Sequence, residues 1–204
     1  MIVPVIGMHR TGTTMMAGIL QQLGINMGNS GGYREDSQFR GFNDKILKNA
    51  GGNWCNVPPK EKIIENMETK AKKIGEFFQK RNNNGSNWGW KDPRTVVTFP
   101  LYWPILQKQA DVRYIFTNRP RNAIIASLNK RQKKDYEECY ERYRQELNQI
   151  LDLVQNCPIL CMEYDYIIDY PEMAVVDIAK FLGIEDEGKK KKAIGYVDPT
   201  KRHW

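Results

Sequence analysis

The opening two dozen residues limit the fold more tightly than any other stretch of this chain: M-I-V-P-V-I-G-M-H-R-T-G-T-T-M-M-A-G-I-L-Q-Q-L-G, Met1 to Gly24. Ile2 to Ile6 is a short apolar run of the kind that forms a buried strand. Gly7 to Thr13 is a polar loop bounded by glycines. Met15, Met16, Ile19, Leu20 and Leu23 then recur at helical spacing. A strand, a glycine loop and a helix in that order make an anion cradle, because loop N–H groups and the helix N-terminus converge on one point and the helix dipole favours negative charge there.

The cradle departs from the nucleotide-triphosphatase form G-x-x-x-x-G-K-[ST] at one position. Gly7 and Gly12 have the right spacing, but Thr13 stands where the lysine belongs. The cations of the loop come before the second glycine: Arg10, and His9 when protonated.

Strands alternating with helices follow. Asn26 to Gly41 reads as a long polar loop, of the length that often carries function. Asn43 to Asn49 reads as a short helix, and Pro58-Pro59 opens an amphipathic helix whose buried face is Ile63, Met67, Ile74 and Phe78. Trp88 to Lys91 is a second strand, Val112 to Thr117 a third, Pro158 to Tyr164 a fourth. Helices are expected over Thr95 to Gln109, around two prolines, over Asn122 to Lys133, over Tyr136 to Val154 and over Pro171 to Leu182. The fold class expected is α/β: one domain over residues 1–204, three layers α/β/α, with a central parallel sheet. At 204 residues, 41% of them hydrophobic, the chain can bury the core this needs.

In such a sheet ligands bind beyond the carboxyl ends of the strands, so the polar residues there are the ones to inspect. The second strand runs into W-G-W-K-D-P-R, with Lys91, Asp92 and Arg94. The third runs into R-P-R-N-A-I-I-A-S, in which Ser127 follows Arg119 by eight residues on the next helix. An arginine fork can grip phosphate oxygens from two sides, and a serine hydroxyl can add a donor. The fourth strand runs into C-M-E-Y-D-Y, in which the Tyr164 face could stack on a purine.

The formal net charge of +7 suits a multiply anionic ligand. It would also suit nucleic acid, but the basic residues are not interleaved with aromatics along one stripe. Lys189 to Lys192 and the group Lys130, Arg131, Lys133, Lys134 read most simply as solvated faces, and no nucleic-acid partner is expected. No apolar run approaches the ~20 residues of a membrane span, so no membrane partner is expected. No basic-then-apolar leader or N-terminal anchor is evident. Cys55, Cys139, Cys157 and Cys161 form no C-x-x-C pair and have no nearby histidine, so free thiols in a cytoplasmic protein are expected and a metal site is not.

Taken together these motifs resemble the sulfotransferases that use 3′-phosphoadenosine-5′-phosphosulfate. The loop H-R-T-G-T-T resembles their [KR]-[ST]-G-T-[TS] phosphosulfate loop, and the Arg119/Ser127 pair resembles their 3′-phosphate site. W-G-W-K-D-P-R, the G-Y-R-E-D of residues 32–36 and F-N-D-K-I-L resemble segments of bacterial-type members. The resemblance implies that His9, Arg10, Thr11, Gly12, Thr13 and Thr14 bind the donor's 5′ end, Arg119 and Ser127 its 3′-phosphate, and Tyr164 its adenine. It implies that Arg10 and Lys91 stabilise the leaving phosphate and that Glu35 deprotonates the acceptor, with Asp36 and Asp92 as alternative bases. Asp92 is the more natural partner of Arg94 or Lys91. Pro93 stands where cytosolic animal members carry a catalytic histidine, so that histidine mechanism does not transfer.

The tail V-D-P-T-K-R-H-W resembles the ending of bacterial members, with Lys201, Arg202 and His203 closing over the donor. The implied reaction moves a sulfuryl group to a hydroxyl or amine of a small-molecule or glycan acceptor. It releases adenosine 3′,5′-bisphosphate and requires no metal. The resemblance further implies a cytoplasmic protein of a bacterium or one of its viruses. Two alternatives stay open: a nucleotide kinase or ATPase with a degenerate phosphate loop, for which Asp92 would be the acidic residue, and a non-catalytic nucleotide-binding protein.

Overall fold

The structure is a computed structural model that describes the chain except residues 29–32, 132–134, 199 and 201–204, and except the side chains of residues 68, 69 and 131. Its centre is a parallel sheet of β1 (Ile2–Ile6), β2 (Trp88–Lys91), β3 (Tyr114–Asn118) and β4 (Ile159–Glu163), in the order β2-β1-β3-β4. β1 pairs with β2 from Ile2 against Trp88 to Val5 against Lys91, and with β3 at Val5 against Ile115 and Ile6 against Phe116. The chain leaves β1 towards one side and later returns on the other. A crevice therefore opens at the carboxyl ends of β1 and β3, the position where parallel sheets bind ligands.

Side-chain alternation along the strands sends residues into two cores. Val3, Val5, Ile115 and Met162 pack under α1 (Thr13–Gln22), α7 (Tyr164–Asp169), α8 (Pro171–Leu182) and α9 (Glu187–Tyr196). Ile2, Ile6, Trp88, Trp90, Tyr114 and Phe116 pack on the other face. The covering elements there are α2 (Ser37–Asn49), α3 (Lys60–Asn83), α4 (Thr95–Leu106), α5 (Arg121–Arg131) and α6 (Glu137–Val154). The architecture is thus the three-layer α/β/α expected. α4 runs through Pro100 and Pro104 without breaking, and Ile63, Met67, Ile74 and Phe78 of α3 are buried.

The differences from the sequence expectations lie between strands. The long loop is shorter than its composition suggests, because α2 begins at Ser37 and not at Asn43. Asp36 caps it, its carboxylate accepting from the N–H of Gln38 and of Phe39. β3 is shifted: Val112 makes only an isolated bridge to Ile2, and the strand proper ends at Asn118, one residue before Arg119. Tyr164 does not end β4 but opens α7. α7 and α9 have no counterpart in the sequence reading. α9 carries Lys189, Lys191 and Lys192 on a solvated face as expected. Ala193 is buried, however, and α9 packs on α1 so closely that a Cβ at Gly18 would lie 2.2 Å from the Tyr196 ring. No described helix is long and apolar enough to cross a membrane. None of the four cysteines, all of them described, is in a disulfide.

Candidate active site

The loop from Gly7 to Gly12 is held by its own hydroxyl chemistry. Thr11 Oγ1 donates to the Met8 carbonyl at 2.8 Å and lies 2.9 Å from Thr117 Oγ1 at the end of β3. This latch spends the Thr11 side chain inside the protein, so of the loop residues expected to bind donor it acts as a support. Gly12 adopts φ 88°, and a Cβ there would sit 2.7 Å from the Tyr164 ring. Both facts require glycine. Arg10 also takes a left-handed φ, 72°, an uncommon conformation for a residue with a side chain and one concentrated at functional sites.

The first helical bond runs from Met16 N to Gly12 O, so the amides of Thr13, Thr14 and Met15 have no acceptor within α1, and the N-cap, Gly12, offers no side chain to cap them. These donors, with Arg10 beside them, form the cradle inferred from sequence.

Two cavities open on it. The larger, about 250 Å³, is lined by His9, Arg10, Thr13, Thr14, Tyr33, Glu35, Arg40, Asp44, Trp54, Lys91, Pro93 and Arg94. The smaller, about 90 Å³, is lined by Arg10, Gly12, Thr13, Thr14, Arg119 and Tyr164. Arg10, Thr13 and Thr14 belong to both.

In the larger cavity Lys91 reaches in from the end of β2. Its Nζ donates to the Tyr33 carbonyl at 2.6 Å and to Thr14 Oγ1 at 3.2 Å, and lies 3.6 Å from Glu35 Oε1. Its side chain is 1% exposed. Burial lowers its pKa to about 8, against the pull of the Glu35 and Asp92 charges and with the push of Arg94. Glu35 Oε2 accepts from Arg94 NH2 at 2.7 Å. His9 lies against Trp54, ring centroids 4.3 Å apart, and Trp54 stacks in turn on Tyr136. In the smaller cavity the Arg119 guanidinium sits over the Tyr164 ring at 4.4 Å. Ser127, on α5, accepts from Arg10 Nε at 2.8 Å.

The structure therefore brings Arg10, Lys91, Glu35, His9, Thr13 and Thr14 to one cavity. It brings Arg119, Tyr164 and Gly12 to its neighbour, with Ser127 reached through Arg10. Lys201 and Arg202, with His203, lie outside the described residues.

The two alternative bases are occupied elsewhere. Asp36 caps α2 and pairs with Arg81. Asp92 is buried, accepts from Arg94 Nε and N and from Asn43 Nδ2, and does not line the cavity. Of the aromatic and basic residues in and around the loop before α2, Tyr33 and Trp54 line the larger cavity. Phe39 instead stacks on Trp90 in the core at 4.2 Å, and Arg34 turns to Gln21 and the Tyr196 ring. Arg40 and Asp44 were missed; they sit one turn apart on α2, a spacing that would have exposed them had the helix been placed correctly. Among the described residues no group of three or more His, Cys, Asp and Glu could hold a metal ion.

No family model and no curated protein matches the sequence. Solved structures do. The chain resembles the sulfotransferase domain from the Synechococcus PCC 7002 olefin synthase with a TM-score of 0.59 and 16% identity, over 94% of this chain and 76% of that one. It resembles sulfotransferase STF1 from Mycobacterium tuberculosis H37Rv with a TM-score of 0.56 and 14% identity, over 95% and 70%. It resembles the sulfotransferase domain from the curacin biosynthetic pathway with a TM-score of 0.57 and 14% identity, over 94% and 77%. At such identities the likeness speaks to architecture, and on that level the chain has the α/β fold of the sulfotransferases.

Proposed function

We propose that this protein is a sulfotransferase that takes a sulfuryl group from 3′-phosphoadenosine-5′-phosphosulfate and passes it to a hydroxyl or amine of an acceptor. The observation that carries the reading is the pair of adjoining cavities that share Arg10, Thr13 and Thr14. One adjoining cavity holds a base and a buried lysine, and the other holds Arg119. A ligand with two phosphate-bearing ends needs two anion sites joined by one loop. The residues fit such a donor: uncapped helix amides, an arginine in strained backbone and a second arginine over an aromatic ring.

The bound donor would supply the sulfuryl group and, on transfer, a leaving phosphate. Arg10, the Thr13 and Thr14 amides and Lys91 are donors suited to the charge that builds there. Glu35 takes the acceptor's proton. Arg119 and Ser127 hold the 3′-phosphate and so align the donor. Lys201 and Arg202 are proposed to close over it, and the acceptor is proposed to be a small molecule or glycan bound between Tyr33 and Trp54. The kinase alternative loses its acidic residue, since Asp92 is committed to Arg94 and Asn43.

Thermal unfolding tests the reading. A ligand at 100 times its Kd adds about 2.7 kcal/mol, a shift of several degrees for a domain of this size. Adenosine 3′,5′-bisphosphate should raise the Tm without magnesium and 5′-AMP should raise it far less. A shift with ATP and magnesium alone would replace this reading with the kinase. No shift with any of the three would replace it with a non-catalytic protein.

A further inference from the structure

Arg94 is the most heavily paired side chain at the site. Its guanidinium touches Asp92 at 2.9 Å through Nε, Asp44 at 3.2 Å through NH1 and Glu35 at 2.7 Å through NH2. Two of these contacts are anchors. Asp92 is fixed by the Arg94 backbone N–H at 3.1 Å and by Asn43 Nδ2 at 2.8 Å. Asn43 is itself fixed, its Oδ1 accepting from Thr98 Oγ1 at 2.7 Å and from Tyr102 OH at 2.6 Å. This chain of buried bonds ties the guanidinium to α2 and α4, and leaves one arm pointing at Glu35.

Glu35 thus lies between two cations and is shared unequally, 2.7 Å from Arg94 and 3.6 Å from Lys91. In a buried site a lone lysine and a lone carboxylate at this range would close into a tight pair, since neither has water to compensate it. A closed pair would disable both groups, the glutamate as proton acceptor and the lysine as donor to an anion. An arginine prevents this at every working pH because it stays charged, and its planar fork can hold several carboxylates at fixed angles.

We infer that Arg94 is a positioning residue that holds the Glu35 carboxylate away from Lys91, keeping the base and the anion-binding cation separately available. The inference rests on the function proposed above only for what the two groups do; the charge partition itself is a property of the ligand-free protein.

The primary measurement is the titration of Lys91 in that protein, followed by ¹³C NMR of lysine Cε and assigned by loss of the signal in Lys91→Arg. The charged groups facing Lys91 are Glu35, Asp92 and Arg94, and Arg10 lines the same cavity. In Arg94→Gln, Glu35 closes on Lys91 and the midpoint moves up from about 8 by about one pH unit or more. Affinity for adenosine 3′,5′-bisphosphate at pH 7 falls by about tenfold, the low end for one charge-assisted bond. Adding Glu35→Gln to Arg94→Gln brings the midpoint back down, and Arg94→Lys restores part of the separation. A purely structural role for Arg94 would not be reversed by removing Glu35. If Arg94→Gln does not fold, Asp44→Asn loosens the anchor from its exposed side and should move the midpoint the same way by less.

A Lys91 midpoint unchanged in folded Arg94→Gln, or in Asp44→Asn where that variant must stand in, would overturn the inference. So would a midpoint equally raised in the double variant. The two claims fail separately. A shifted midpoint in a protein that binds no bisphosphate supports the partition and sinks the donor assignment. Bisphosphate binding with an unmoved midpoint does the reverse.

Discussion

The two cavities that share Arg10, Thr13 and Thr14 are built on opposite electrostatic plans. The larger mixes signs: Arg10, Arg40, Lys91 and Arg94 share its wall with Glu35 and Asp44. The smaller is lined by Arg10 and Arg119 with Gly12, Thr13, Thr14 and Tyr164, and no acid is among its described lining residues. A cavity of one sign suits an anion whose charge stays constant. A cavity of paired signs suits a place where a proton leaves and a phosphate gains charge, because fixed dipoles and ion pairs can stabilise both changes without reorganising. Under the proposed function the difference puts chemistry at one end and grip at the other, and each prediction below strains that division.

The largest effect is expected from Glu35→Gln. Removing a general base costs typically about 10² to 10⁴ in rate, while nothing at the smaller cavity changes. Turnover should collapse, and the Tm shift with adenosine 3′,5′-bisphosphate should remain. Since Asp36 and Asp92 are committed to structural pairs, undiminished turnover in this variant would leave Asp44 as the remaining carboxylate among the described residues lining that cavity. Glu35 would then have lost its catalytic meaning.

Arg119→Ala makes the converse cut. Hydrogen bonds to charged groups contribute about 1.5–3 kcal/mol, so bisphosphate affinity should drop by about 10- to 150-fold. Affinity for 5′-AMP, which lacks the 3′-phosphate, should hold. Calorimetry with both ligands decides it; equal losses would mean that Arg119 does not read the 3′ end, and the single-sign cavity would need another occupant.

The sequence exposes one half of this comparison better than the other. β1, the glycine loop and α1 are legible because each is encoded locally, in an apolar run, two glycines and a helical period. Lys91 is legible because β2 ends in a strand–breaker junction, where a polar residue must face the crevice. Thr11 is less so: the pattern names the hydroxyl but not its turn inward towards Thr117, which lies 106 residues away. Arg94 is the sharpest case. It is visible as a neighbour of Asp92, but its hold on Glu35 and Asp44 depends on bringing α2 and the preceding loop against the end of β2, across separations of 59 residues for Glu35 and 55 for Asn43 to Thr98. α9 escaped because a run of lysines hides the helical period that Ala193, Ile194 and Tyr196 carry.

A pH experiment sharpens the comparison further, because the larger cavity contains a lysine that titrates near neutrality. Lys91 has a pKa of about 8 in the folded protein against the usual 10.5. The unfolded chain therefore binds the extra proton between those values, and the Lys91 contribution to stability rises as pH rises through that window. Under the proposed function the bisphosphate binds to the charged lysine, so affinity should fall above pH 8 by up to about tenfold per unit. Opposite trends in Tm and in affinity over one pH range are hard to produce by general alkaline damage. Lys91→Arg should flatten both. A flat affinity profile in the parent protein would take Lys91 out of the anion site.

The smallest effect is expected behind Arg119, at Tyr164. The ring lies under the guanidinium at 4.4 Å and its edge meets Gly12, so it supports the arginine on one side and the loop on the other. A cation–π contact contributes about 0.5–1 kcal/mol at exposed sites and more where it is desolvated. Tyr164→Leu should therefore weaken bisphosphate binding by about two- to fivefold, and Tyr164→Phe, which keeps the ring, should leave it nearly unchanged. Turnover at saturating donor should be untouched in both, since neither reaches the mixed-sign cavity. If Tyr164→Leu instead lowered turnover as strongly as binding, the loop would be transmitting a change at the gripping end to the reacting end. The two cavities would then have to be treated as one mechanical unit joined through Gly12.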